Sequence, residues 1–230
     1  MKVQLWPRRW VRIGVAACSF MVAGCVSTSA PSRFFTLNSL AEGSDTAGRS
    51  PVRDQMSFGF QPQAPSQARS PEQAMFVAVG PLTIPDSVNR SEIVTADGAH
   101  QMTIHDFERW AGPLDKKVLR VLTDDLDTKL ASDRFTVVVW NPSSQVNIEA
   151  RYRVMVEVTR FELSREPGGA AHFDADWVLY GRQDKVLAMR QTHRRAPVTG
   201  TNVKVLVAAM SQCIMDFSGE VAETISSTPG

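Results

Sequence analysis

Three consecutive segments in the second half of the chain alternate apolar and polar residues, and this pattern constrains the fold most. Between Arg151 and Leu163, Tyr152, Val154, Val156, Val158 and Phe161 fall on one side, with a slip in the pattern near Phe161. Between His172 and Tyr180, Phe173, Ala175, Trp177 and Leu179 share a face. Asp184 to Arg195 follows, with Val186, Ala188 and Arg190 on one face. Successive side chains of a strand point to opposite faces, so period two marks half-buried strands. Gly168-Gly169 and Gly181 punctuate the joins, which predicts an antiparallel meander.

Two stretches follow the helical period instead. Leu114, Val118, Val121, Leu122, Leu126 and Leu130 recur on one side of a helix over Leu114 to Leu130, and Pro113 suits its start because a missing N–H costs nothing there. Leu206, Met210, Cys213, Phe217, Val221 and Ile225 form the stripe of a longer helix from Asn202 to about Ser226, with Asn202 as N-cap. Strands are predicted at Ala74 to Leu82, Phe135 to Trp140, and on either side of the Asp97-Gly98 turn at Glu92 to Thr95 and Gln101 to Ile104. Arg33 to Leu37 reads as a short edge strand. The expected class is α+β: a mixed, largely antiparallel sheet with two helices packed on one face and the other face open to solvent or a partner.

The first residues have a different job. Lys2, Arg8, Arg9 and Arg12 precede an apolar run from Ile13 to Val22, about the length of a signal-peptide core and too short for a lasting membrane span. Val22-Ala23-Gly24-Cys25 then reads as a bacterial lipoprotein signal, cut before Cys25, whose thiol would carry the lipid. The expected layout is a signal peptide over residues 1–24, a lipidated tether and linker over 25–72, and a folded domain over 73–230. Ala41 to Pro71 is rich in Gly, Ser, Pro, Gln and Ala, a composition that buries too little apolar surface to offset its ordering entropy. Met56, Phe58 and Phe60 interrupt it at period two.

With 25 Lys and Arg against 24 Asp and Glu, no basic field exists to gather nucleic acid. Of three cysteines, Cys18 leaves with the signal and Cys25 is lipidated, which leaves Cys213 as a small hydrophobe within the last helix. The lipid is the expected membrane anchor, at about 0.8 kcal/mol per buried methylene.

Enzyme signatures are weak. The four histidines show no zinc spacing, and no nucleophile elbow, Walker or dinucleotide glycine pattern occurs. His172, Asp174 and Asp176 share one strand face, but ligands in a straight line converge poorly on a metal. No cofactor is expected. A Ser-His-Asp type triad remains open, because its members meet only in space.

Several segments together resemble the ABC-type transport auxiliary lipoproteins, the PqiC/YmbA-like family. Ser32-Arg33-Phe34-Phe35-Thr36-Leu37 is similar to its S-x-F-Y-x-L segment after the lipid cysteine. Val77 to Pro85 resembles its first core strand and proline turn. Asn89 to Val94 resembles its R-P-Q-I-V segment, with Ser91 and Glu92 departing from Pro and Gln. Phe107 to Leu114 resembles its R-W-A-x-P-L motif. The resemblance implies a non-enzymatic, periplasm-facing lipoprotein working beside an inner-membrane permease and an MCE-domain periplasmic protein, in movement of lipids or hydrophobic molecules. It also implies a fold related to the N-terminal domain of TolB-like proteins. Val26 after the lipid cysteine favours the outer membrane. Arg90, Arg109 and Trp110 stand out within these motifs as candidates for partner contact or structural work. Self-association, a lipid-carrier role and a hydrolase with an unrecognised triad stay open.

Overall fold

The computed structural model describes residues 30–40, 75–131, 135–141, 149–165 and 168–228. Cys25, the signal region and the 41–71 linker with Met56, Phe58 and Phe60 lie outside them. The chain divides into Met1–Pro31 and a compact unit, Ser32–Gly230, that carries every element below. In order these are β1 (Arg33–Phe35), β2 (Met75–Thr83), β3 (Glu92–Ala96), β4 (Met102–Trp110), α1 (Leu114–Leu130), β5 (Phe135–Val139), β6 (Ala150–Leu163), β7 (Ala170–Tyr180), β8 (Val186–Pro197) and α2 (Val203–Ser227).

The α+β class holds, but the strands form two mixed sheets where one was expected. Five strands run β5-β2-β6-β7-β8, and three run β1-β4-β3. β6, β7 and β8 are the predicted antiparallel meander, whereas β5 and β6 flank β2 in parallel. In the small sheet β1 runs parallel to β4, pairing residues 75 apart in sequence, and β3 pairs with β4 through the Asp97-Gly98 turn. A lone bridge from Ala96 to Ser164 links the two sheets.

Both helices lie against the five-stranded sheet and against each other, α1 over β5 and β2, α2 over β7 and β8. Paired residues on strands share a face, so the registers Val154–Leu179, Val156–Trp177 and Val158–Ala175 build one apolar layer beneath them. The rings of Phe173 and Trp177 pack on Phe217 of α2 at 5.3 and 6.2 Å between centroids. The predicted stripe of α2 is buried throughout. By length and hydropathy α2 would pass as a membrane span, and half of its most apolar window is buried in this core. Asn202 Oδ1 accepts from the Lys204 N–H at 2.9 Å, as its N-cap position requires.

Three details differ from simple alternation. The slip in β6 is a bulge between Val158 and Arg160, which returns Phe161 to the buried face. Leu187 is an extra residue between the pairs Leu179–Ala188 and Tyr180–Val186. It places Val186 on the open face, not beside Ala188 and Arg190 as the alternation suggested. β4 runs to Trp110, six residues beyond its expected end, because a wide irregularity separates the pairs Glu92–Arg109 and Ile93–His105.

Residues 32–40 belong to the packed unit, ahead of the start at residue 73 expected from composition. Phe35 and Leu37 are buried in the common core. The Asn38 N–H donates to Ser211 Oγ of α2 at 3.2 Å, and the Leu40 N–H to Asp125 Oδ1 of α1 at 2.7 Å.

Candidate functional site

The motif arginines meet at one carboxylate. β3 opens on Glu92, which pairs across the sheet with Arg109 of β4. Arg109 donates to Glu92 Oε1 at 2.6 Å, Arg90 Nε to Oε2 at 3.1 Å and Ser91 Oγ to Oε1 at 2.8 Å. The Ser91 hydroxyl first, then the backbone and the two guanidiniums, hold the Glu92 carboxyl down to about 2. Ser91 and Glu92, the two departures from the R-P-Q-I-V pattern, are therefore the partners that organise Arg90 and Arg109.

Trp110 points the other way, into the core. It is buried, its ring meets Phe161 edge-on at 6.1 Å, and its backbone N–H donates to the Ser91 carbonyl at 2.8 Å. A residue so placed offers no ring surface to a partner. Gly112, with φ +146°, then turns the chain into α1, a backbone that favours glycine. A hollow of about 480 Å³ opens beside the cluster, lined by Arg90, Ser91, Trp110, Gly112 and Asp115 among others.

The fold also brings together a hydroxyl, an imidazole and a carboxylate that the sequence does not place side by side. Thr95 Oγ1 lies 2.8 Å from His105 Nε2, and His105 Nδ1 lies 3.6 Å from Glu108 Oε2. Arg33 pairs with the other oxygen of Glu108, and Arg165 approaches the imidazole at 3.4 Å. The order imitates a hydrolase triad, yet Thr95 is 1% exposed, so no substrate carbonyl reaches its oxygen. Burial first, then Arg165, push the His105 pKa below its usual value. Regular pairing already puts Thr95 and His105 on one face, but strict alternation would send Glu108, three residues on, to the other; the irregularity between the pairs Ile93–His105 and Glu92–Arg109 brings it back.

His172, Asp174 and Asp176 lie on the open face of the five-stranded sheet, as predicted. Asp174 faces His193 at 3.2 Å, while Arg160 forms a two-point contact with Glu162 at 2.8 and 2.9 Å. The first pair crosses from β7 to β8 and the second runs along β6, and among the described residues no group of three or more His, Cys, Asp and Glu is placed to hold a metal. At the other end of this face Arg153 stacks on Tyr180 and Trp140, at 4.7 and 5.2 Å, and pairs with Asp184.

Two further features bear on function. β8 ends the five-stranded sheet, and its Met189 is 73% exposed. A groove of about 690 Å³ runs between residues 34–40 and α2, walled by Phe34, Leu40, Val207 and Met215, with Lys204 and Gln212 at its rim.

Among the described residues, this two-sheet α+β unit leaves β8 at a sheet edge and one sheet face open, and it buries the hydroxyl of the polar trio. Residues 58–222 match the model of the ABC-type transport auxiliary lipoprotein component family, and the chain belongs to that family. No curated protein matches it. Among solved structures, an uncharacterised protein aligns at 18% identity over 85% of this chain and 99% of its own, with a TM-score of 0.60. Protein XCC0632 from Xanthomonas campestris aligns at 16% identity over 66% and 86%, with a TM-score of 0.52. These two share the fold. PelC from Paraburkholderia phytofirmans, crystallised as a dodecamer, aligns at 11% identity over 69% and 91%, and at a TM-score of 0.38 it carries no weight here.

Proposed function

We propose that this lipoprotein is the auxiliary subunit of an MCE-type, ABC-type envelope assembly that moves lipids or other hydrophobic molecules between the inner and outer membranes. Cys25 carries the anchor, in the outer membrane, and the domain docks a periplasmic partner and performs no chemistry. The family match over residues 58–222 carries this reading. Among the described residues the outer edge of β8 is unpaired, which supports docking by strand addition: a twelve-residue strand ending a sheet is a template for a partner's backbone. Crosslinking the native protein in gently solubilised membranes, then identifying what copurifies, tests the assignment. Recovery of an MCE-domain protein with its permease supports it. Recovery of this chain alone, or only with copies of itself, counts against it.

The groove beside α2 favours a second reading, a lipid carrier. Mass spectrometry of the purified domain would then find bound phospholipid in stoichiometric amount.

A further inference from the structure

Among the described residues, one face of the small sheet is apolar and uncovered over β1 and β4, whereas Val94 and Ala96 of β3 on that face are buried. Paired strand residues share a face, so Phe34, Arg109 and Glu92 lie on the same side as Val94–Ile104 and Ala96–Met102, opposite the buried Phe35, Trp110 and Ile93. Phe34 is 66% exposed, and Met102, Ile104 and the nearby Phe107 are exposed too. Half of the exposed large hydrophobic side chains among the described residues thus sit on two paired strands, β1 and β4. A concentration of this kind marks a contact surface, whereas singly scattered apolar residues do not.

We propose that this face rests in the interfacial layer of the bilayer to which the chain is anchored, with Phe34, Met102, Ile104 and Phe107 immersed among the headgroups. Two observations choose the membrane as occupant. The first is chain length. Phe34 lies nine residues after Cys25, a contour of at most about 30 Å. Because β1 is built into the domain, residues 26–32 set the reach from the anchor, and the long 41–71 segment adds nothing to it. The second is the arginines at its rim. Arg33, Arg90 and Arg109 edge this face, and against Glu92, Glu108 and the exposed Asp106 they leave it without net charge. Guanidiniums pair readily with phosphate oxygens such as those of lipid headgroups. Aromatic and aliphatic side chains ringed by arginine are the composition of an interfacial contact.

The inference rests on lipidation at Cys25, and the test separates the two. The full-length lipidated protein, carrying Ile104→Cys, Phe107→Cys or, as control, Met189→Cys, is labelled with an environment-sensitive fluorophore. It is then reconstituted into vesicles of phosphatidylethanolamine and phosphatidylglycerol, with and without spin-labelled acyl chains. Flotation reports the anchor. The expected result is a blue shift and strong quenching at positions 104 and 107, and neither at 189. Protein that floats with 104 and 107 as wet as 189 overturns the membrane contact and leaves the anchor standing. A blue shift without quenching by spin-labelled lipid shows that protein covers the face, and overturns it as well. Failure to float removes the anchor and the contact together. All three positions are exposed, and an unchanged melting temperature verifies folding of each variant.

Discussion

Asp125 accepts the backbone N–H of Leu40 at 2.7 Å, and this bond ties the segment after β1 to the buried face of α1. Asp125 is fully buried, and Ser218 Oγ lies 3.3 Å from its other oxygen. Burial, the largest influence, holds its carboxyl above the ordinary range, against the pull of these hydrogen bonds.

A group whose folded pKa is raised contributes stability that is complete below its unfolded value and is lost as pH rises through the folded one. Asp125→Asn keeps an acceptor for Leu40 and removes the charge. The variant should therefore match or exceed wild type at neutral pH, with the advantage shrinking toward pH 4. Asp125→Ala leaves the half-buried Leu40 N–H without its acceptor and should cost about 1–2 kcal/mol. Thermal unfolding of both variants across pH measures this.

Glu92 behaves oppositely. Its carboxyl is held at about 2, so its contribution is present above the unfolded carboxylate pKa and is lost as pH falls through about 2. Glu92→Gln should lower the melting temperature slightly at neutral pH, where the contribution is present, and the gap to wild type should close between about pH 4.5 and 2. An acid titration of unfolding, wild type against variant, shows whether it does.

Trp110→Ala should lower stability by about 3–5 kcal/mol, the usual range for deleting a buried tryptophan ring. Partner binding should fall only in proportion to unfolded protein. Full loss of binding at an unchanged melting temperature would instead make Trp110 a contact residue.

Cys213 is buried, and burial pushes its thiol up to about 11. The native lipidated protein should show no reaction with an aromatic disulfide reagent at pH 8 within minutes, and one thiol per chain in denaturant. Prompt reaction in the native state would show that the layer beneath α2 opens readily.

Local periodicity made the helices and the meander readable, because each rests on neighbours in sequence: the Leu114–Leu130 stripe, the Asn202 cap, the Tyr152 to Val158 alternation. Pairings between distant segments were not readable. Nothing in Arg33-Phe34-Phe35 says that it joins β4 in parallel, so the small sheet and the true length of the tether emerge only in three dimensions. The same holds for Glu92. As a departure from a family pattern it drew notice, but its place between Arg90 and Arg109 depends on the irregular pairing of β3 with β4.

Docking is the central claim, and β8 is where it is most directly measured. A photo-crosslinking amino acid at Met189, in cells making the full-length lipidated protein, reports what lies against that edge. The same substitution at Lys116 on the solvent side of α1 serves as control. Docking predicts an adduct from position 189 to an MCE-domain protein or its permease, absent from position 116. No adduct at 189, or the same products from both positions, would contradict docking through β8.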